Sequence, residues 1–319
     1  MRILIALGGN AIKQEKETGT KEEQIHNVDV TAQQIARILA ADPTRQIVLT
    51  HGNGPQAGNL ALQQDLGRTG GIPAQPWDIV GAMTQGQIGY MFQNRLQTRL
   101  AQLNIHTPCI SLINQVLVDK NDRQFQGENA SKPVGNFLSE EEAMQMRREK
   151  GWIVKCVKPS AAKPWRRVVP SPDPISNVEA ETIRGLIERG VIVIASGGGG
   201  IPVISDEAGG FTGVEAVIDK DLAGQRLASA VGADVLMILT DVPAAIINYG
   251  KPNAQALGTV RLAEMEQYQR EGHFAPGSMG PKVEACLRHV RATGHKAIIT
   301  SLDKAVDALA GAAGTHIVA

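Results

Sequence analysis

What most constrains this chain is the recurrence of short, almost unbroken apolar runs between stretches of helical periodicity. The runs fall at residues 3–7, 46–50, 109–118, 191–196, 235–240, 297–301 and 316–318. They are rich in β-branched residues and lack the apolar/polar alternation of a half-exposed strand. Strands of that kind are covered on both faces, which predicts a mainly parallel sheet. The intervening segments read as helices with legible ends. Residues 31–41 stop at Asp42-Pro43, and Pro55 sits where the first residue of a helix would, after Gly52-Asn53-Gly54. Residues 79–103 form a long amphipathic stretch, while 179–189 and 221–231 run into Gly190 and Gly232, which suit left-handed caps. Repeated strand–helix order predicts an α/β fold, a three-layer αβα sandwich around a mainly parallel central sheet.

One segment breaks the rhythm. From 119 to 174 the chain is polar and proline-rich, and Ser139 with Glu142 makes a capping-box pattern. Between Lys150 and Pro172 stand Lys150, Lys155, Lys158, Lys163, Arg166 and Arg167 with no acid among them. This reads as an excursion from the sheet, either a small protruding lid with a positive face or a solvated basic surface.

Lysine plus arginine and aspartate plus glutamate both number 32, so the chain is formally neutral. That removes the electrostatic footprint of a general nucleic-acid binder and any bulk attraction to anionic lipid. Five Phe, three Trp and three Tyr leave little for stacking bases. Cys109, Cys156 and Cys286 are odd in number and far apart, which suggests neither disulfides nor a zinc site. The first residues are too briefly apolar for a signal peptide, and no stretch approaches a membrane helix. A cytoplasmic, soluble protein is expected.

Glycine is in excess, with 34 residues against the ~22 that the usual ~7% would give. Much of it lies in four turns: Gly8-Gly9-Asn10, Gly52-Asn53-Gly54, residues 197–200, and Pro276-Gly277-Ser278-Met279-Gly280. The first three follow expected strands, placing them at the carboxyl edge of a parallel sheet, where ligands bind. Backbone N–H groups without a Cβ in the way, aided by a helix N-terminus, can hold a phosphate or carboxylate. Such an anion site is favoured over plain tight turns. The glycines do not match the P-loop pattern GxxxxGK[ST] or the dinucleotide pattern GxGxxG, so neither a P-loop ATPase nor a nicotinamide dehydrogenase is indicated.

Three lysines stand close to this pattern: Lys132 in the excursion, Lys220 between two aspartates, and Lys282 after the fourth glycine turn. Phosphoryl transfer needs cations on the equatorial oxygens and little other protein chemistry. Each lysine alone would pass for a surface residue; their conjunction with the glycine turns suggests the function. His51, beside Gly52, is expected to be structural.

These motifs together resemble the carbamate kinases of the amino acid kinase superfamily. The matching stretches include Ala6-Leu7-Gly8-Gly9-Asn10-Ala11, His51-Gly52-Asn53-Gly54-Pro55-Gln56, Ala82-Met83-Thr84-Gln85-Gly86, Lys132-Pro133-Val134-Gly135 and Ile247-Asn248-Tyr249-Gly250-Lys251-Pro252. The resemblance implies a single amino acid kinase domain over 1–319, with 119–174 as its protruding subdomain. It also implies reversible phosphoryl transfer between ATP and carbamate, giving ADP and carbamoyl phosphate with Mg2+, in a homodimer. Gly8, Gly9, Asn10, Gly52, Asn53 and Gly54 would then cradle the acid and the moving phosphoryl group, with Gly198, Gly199 and Arg166 on the same side. Lys132, Lys220 and Lys282 would neutralise charge, and Asp221 would orient lysines. Asp241, Tyr249, Ala275, Pro276, Gly277 and Met279, with Lys220 and Lys282, would border the nucleotide. No metal ligand is assigned to the protein.

Related acetylglutamate and aspartate kinases carry a lysine two residues before the first glycine pair, where this chain has Ala6; Lys132 would supply that charge instead. The family's Asp-Ala-Gly-Arg-Gly run is replaced here by Pro159-Ser160-Ala161-Ala162-Lys163-Pro164-Trp165. That departure leaves open an altered lid or another small carbamate-like acid as acceptor. A nucleotide-binding regulator without catalysis would have no need of all three lysines.

Overall fold

Strand β1 (Arg2–Leu7) shows why these runs are unbroken: Ile3, Ile5 and Leu7 enter one hydrophobic cluster and Leu4 and Ala6 another, on the opposite face. The computed structural model describes residues 1–14 and 16–319. From β1 the chain passes through α1 (Lys21–Ala41), β2 (Gln46–His51), α2 (Gly54–Thr69) and α3 (Trp77–Gln102). Strands β3 (Cys109–Ser111) and β4 (Gln115–Val118) follow. Next come β5 (Lys132–Leu138), α4 (Glu140–Lys150), β6 (Val154–Cys156), β7 (Trp165–Val169) and β8 (Pro174–Asn177). Then come α5 (Ala180–Glu188), β9 (Ile192–Ile194), β10 (Ile201–Ser205), β11 (Phe211–Gly213), α6 (Lys220–Val231) and β12 (Val235–Thr240). The last part holds β13 (Ile246–Ile247), β14 (Gln255–Ala256), β15 (Thr259–Arg261), α7 (Leu262–Arg270) and α8 (Met279–Thr293). It closes with β16 (Lys296–Ser301), α9 (Ala305–Leu309) and β17 (Thr315–Val318).

The main sheet has the order β15-β17-β16-β12-β1-β2-β9-β3. Its centre is parallel, and β17 runs antiparallel to β16. Helices α1 and α3 cover one face through Val28, Ile35, Ile88 and Phe92. Helices α5, α6 and α8 cover the other through Ile183, Leu227, Val283 and Leu287. Two covered faces leave no solvent side, which is the physical origin of the unbroken runs. The αβα sandwich is therefore as the sequence indicates.

Two local expectations need correction. Residues 109–118 are two strands in different sheets, because β4 joins a four-stranded sheet of order β11-β10-β4-β8. The chain breaks between them at Asn114, fully buried and hydrogen-bonded on both sides, which an apolar-run reading passes over. Helix α1 starts at Lys21 rather than near residue 31. Thr20 and Glu23 make a full capping box there, ahead of a first turn too polar to show periodicity.

β4 and β8 pair antiparallel, Val116 opposite Asn177, so the chain leaves and returns at neighbouring points. Between them β5, β7 and β6 form a separate sheet, with α4 begun by the Ser139/Glu142 box. Val134 and Val169 of this unit pack against Ala57, Trp77 and Val80 of the body. Among the described residues no helix is long and apolar enough to cross a membrane.

Candidate active site

Strands β1, β2 and β9 are parallel neighbours, so the turns that leave their carboxyl ends lie side by side. These turns are 8–10, 52–54 and 197–200. They do not all offer N–H groups to an anion. Gly8 N–H donates to Leu239 O at 3.1 Å and Gly52 N–H to Leu7 O at 3.2 Å, extending the ladder by one residue. The N–H groups of Gly9, Asn53 and Gly54 find no acceptor among the described residues. Gly54 opens α2 with Pro55 behind it, so its N–H belongs to a helix N-terminus that can face an anion.

The third turn is closely packed, and of Gly198 and Gly199 only Gly198 stays available to an anion, its N–H finding no acceptor among the described residues. A Cβ on Gly197 would lie 2.4 Å from the His51 ring, and one on Gly199 2.4 Å from Ile218 O. Gly199 N–H is also engaged by Ser196 O at 3.0 Å. Of the four residues only Gly198 lines the cleft. His51 is buried, with Nδ1 2.9 Å from Gly52 O and its ring stacked on Phe92. Burial lowers its pKa to about 4 and Lys220 adds to that, while the Gly52 contact opposes it. It is a neutral structural histidine, as the sequence suggests.

The charged centre forms where α6 and α8 begin. Asp221 is 3% exposed and accepts from Lys220 Nζ at 2.6 Å and from Lys282 Nζ at 3.2 Å. Burial alone would raise its pKa, but the two ammoniums outweigh it and hold the carboxyl well below the usual range. Asp219 caps α6, its Oδ1 accepting from the N–H of Asp221 at 3.0 Å. Its Oδ2 accepts from Lys132 Nζ at 3.0 Å, tying the protruding unit to the helix start. Three ammoniums against two carboxylates leave this end of the cleft positive, poised for an anion.

Lys132, Lys220, Lys282, Gly9, Asn53 and Gly54 line one cleft of about 500 Å³. Arg166 lines it too, donating to Gly135 O at 2.7 Å with its guanidinium over Phe137. Gly8, Asn10 and Asp241 border an adjoining hollow of about 520 Å³ that shares Lys220 and Lys282. A third hollow, about 320 Å³, is bordered by Asp241, Tyr249, Ala275, Met279 and again Lys282. Gly277 stands at the junction, bordering the first two hollows, whereas Pro276 borders none of the three. Lys282 thus borders all three hollows. Among the described residues no group of three His, Cys, Asp or Glu side chains could hold a metal ion.

Most of the basic stretch does not face the cleft. Lys150 pairs with Asp65 at 3.1 Å, Lys163 with Glu142 at 2.8 Å, and Arg167 with Glu215 at 3.2 Å. Lys155 donates to Ala130 O. Of the six basic residues only Arg166 lines the cleft; acids that lie outside the segment in sequence neutralise three of the others.

The sequence profile described as the amino acid kinase family matches residues 1–301. The carbamate kinase of Thermococcus kodakarensis is 55% identical over 318 residues, 99% of each chain. That of Pyrococcus furiosus is 54% identical, over 99% of this chain and 98% of its own. The chain belongs to the carbamate kinases of the amino acid kinase family. A solved member, carbamate kinase from Giardia lamblia bound to AMP-PNP, superposes with a TM-score of 0.91 at 44% identity, covering 99% of this chain and 98% of its own.

In this carbamate kinase three further residues join the site. Asp219, in the sequence one of the two aspartates flanking Lys220 and given no role of its own, is the N-cap that holds Lys132, a role that its place before a helix signals. Ser278, inside the fourth glycine turn, borders all three hollows, and Thr84, inside one of the matching stretches, holds Asn53 from behind. Nothing local in the sequence gives either of these two a role.

Proposed function

We propose that this chain transfers a phosphoryl group reversibly between ATP and carbamate, giving ADP and carbamoyl phosphate, and does so in the cytoplasm. The observation that carries the site assignment is the Lys220–Asp221–Lys282 arrangement, a buried carboxylate holding two ammoniums at the mouth of the glycine turns. An oxygen of carbamate attacks the terminal phosphorus of ATP as the bond to the bridging oxygen breaks, leaving ADP. In the other direction a terminal oxygen of ADP attacks the phosphorus of carbamoyl phosphate as the bond from phosphorus to the acyl oxygen breaks, releasing carbamate. Both nucleophiles are already anionic, so no general base is required, and the protein's task is placement and charge.

Gly9, Asn53 and Gly54 hold the acid and the transferring oxygens, with Gly8, Gly52 and Gly198 giving the close approach. Lys132, Lys220 and Lys282 neutralise the charge that develops. Tyr249, Ala275 and Met279 border the base of the nucleotide, and Asp241 its sugar-phosphate end. Mg2+ would be held through the phosphates of the nucleotide and would add positive charge there, since Asp221 and Asp219 are engaged by lysines. The whole chain acts as one domain, with 119–174 as a lid whose Lys132 reaches the transfer site.

We also infer a homodimer. Ile79, Met83 and Tyr90 leave an apolar face on α3, with Ile110 and Ile113 also exposed; Tyr90 is 66% exposed. Sedimentation should give twice the chain mass. For the activity, purified protein with ADP, Mg2+ and carbamoyl phosphate should form ATP, and it should prefer carbamoyl phosphate to other acyl phosphates. Faster transfer from another acyl phosphate would assign a different acid.

A further inference from the structure

Asn53, an uncharged amide beside the acid, raises the question of how carbamate is told from other small carboxylates. The hydrogen bonds behind it supply an answer. Thr84, fully buried on α3, donates its hydroxyl to Gly81 O at 2.7 Å. With its one proton used there, the Thr84 oxygen can only accept, and it accepts from Asn53 Nδ2 at 2.9 Å. The amide of Asn53 therefore has a fixed sense: its NH2 points back to the helix. Its Oδ1 has no partner among the described residues and is not among the buried orphaned atoms, while the residue itself lines the cleft.

The space beside the same amide is narrow. A Cβ on Gly198 would lie 2.1 Å from Asn53 Nδ2, so only a glycine in this turn leaves room for the amide there. That turn is itself held by Gln85, the next residue on α3, whose Nε2 donates to Gly197 O at 3.2 Å and to Asn114 O at 3.3 Å. Asn114 in turn binds Ser196, through Nδ2 to Oγ at 3.1 Å and through Oδ1 from the backbone N–H at 2.5 Å. Ser196 is a buried non-glycine residue at φ 54°. Strain of that kind persists only when the surroundings fix it. Two adjacent residues of one helix thus set the place of the amide, Thr84 by hydrogen bond and Gln85 by holding the turn beside it.

We propose that Thr84 is a positioning residue that fixes the Asn53 amide with its oxygen toward the acid, so that the site favours an acid bearing an N–H donor, the amino group of carbamate, over one bearing a methyl. An acyl group without that donor leaves the oxygen unpaired in a closed site, which costs more than the bond itself gains. The proposal rests on the reading that Asn53 serves the acid.

The test compares kcat/KM for carbamoyl phosphate and for acetyl phosphate, together with KM for ADP, in wild type, Thr84→Val, Thr84→Ser and Asn53→Ala. Thr84→Val lets the amide turn. It should lower kcat/KM for carbamoyl phosphate roughly three- to tenfold, the worth of one hydrogen bond, without lowering it for acetyl phosphate. KM for ADP should stay within about twofold of wild type, since the nucleotide lies beyond Lys282. Thr84→Ser keeps the hydroxyl and should behave as wild type. Thr84→Ala makes the same test in a helix-favouring residue if the Val variant does not fold.

If Asn53→Ala lowers the carbamoyl preference and the Thr84 variants do not, the positioning role is overturned while the Asn53 assignment stands. If Asn53→Ala leaves the preference unchanged, the assignment of Asn53 to the acid fails and the proposal with it. Equal losses for both acyl phosphates and for ADP would show a merely structural threonine.

Discussion

Replacing Lys220 with Ala separates chemistry from folding at this site, because the structure isolates the lysine from the stability of its partner. Lys220 Nζ bonds Asp221 Oδ1 at 2.6 Å, but Asp221 keeps Lys282 at 3.2 Å when Lys220 is cut back. The buried carboxylate is not orphaned, so the large penalty for a lone buried charge does not arise. The lysine stem packs near Gly52 on the cleft wall, where water can fill the space it leaves. What is lost is a preorganised cation at the transferring phosphoryl group, a deficit of ~2.7–4 kcal/mol or ~10²–10³ in kcat by comparison with other preorganised donors. Lys282→Ala should behave alike, for the mirror reason. Removing both leaves Asp221 buried and unpaired, which should cost ~3–5 kcal/mol of stability. The assay is the initial rate of ATP formation from ADP and carbamoyl phosphate, read by a coupled luciferase signal, beside thermal melts of each variant. Single variants should melt near wild type and turn over slowly, and the double variant should melt well below both. A Lys220→Ala enzyme within about threefold of wild type would refute the assignment. So would a single variant that melts as low as the double.

Other consequences can be checked in the same preparations. Gly198→Ala combines a left-handed φ of 67° with a Cβ 2.1 Å from Asn53 Nδ2, so KM for carbamoyl phosphate should rise several-fold while KM for ADP does not. His51 and His289 are both buried with pKa values lowered to about 4, chiefly by burial. Between pH 6.5 and 4 the unfolded chain binds protons that the folded chain refuses, so stability should fall on acidification across that window, on the order of 3 kcal/mol per group. Urea midpoints in that range should be less pH-dependent in His289→Phe than in wild type, and identical slopes would contradict the account. Ser139→Ala removes the α4 capping box and should cost about 1 kcal/mol of local stability, visible as faster amide exchange in α4.

The sheet was legible because its physical cause is local: a strand covered on both faces must be apolar at every position, as Ile3 to Leu7 are. The glycine turns and three lysines were legible for the same reason, since each lies within a few residues of a strand or helix end. What stayed hidden depends on distant partners. Nothing near Lys150, Lys163 or Arg167 in sequence announces Asp65, Glu142 or Glu215 as their counterions. The break at Asn114 follows from its bonds to Gln85 and Ser196, which lie far away in the chain. Likewise the glycines at 197–200 suggest an anion cradle to a reader of the sequence, which does not show that the His51 ring, the Asn53 amide and the Ile218 carbonyl also leave no room for a Cβ there.

The most direct test of the central claim follows phosphorus itself. With carbamoyl phosphate, ADP and Mg2+, phosphorus NMR should show the carbamoyl phosphate resonance falling as the γ-phosphate of ATP rises in equal amount, at a rate that Lys220→Ala lowers by about two orders of magnitude or more. Phosphorus appearing only as inorganic phosphate, at the same rate with wild type and the variant, would contradict a phosphoryl transfer built on these lysines.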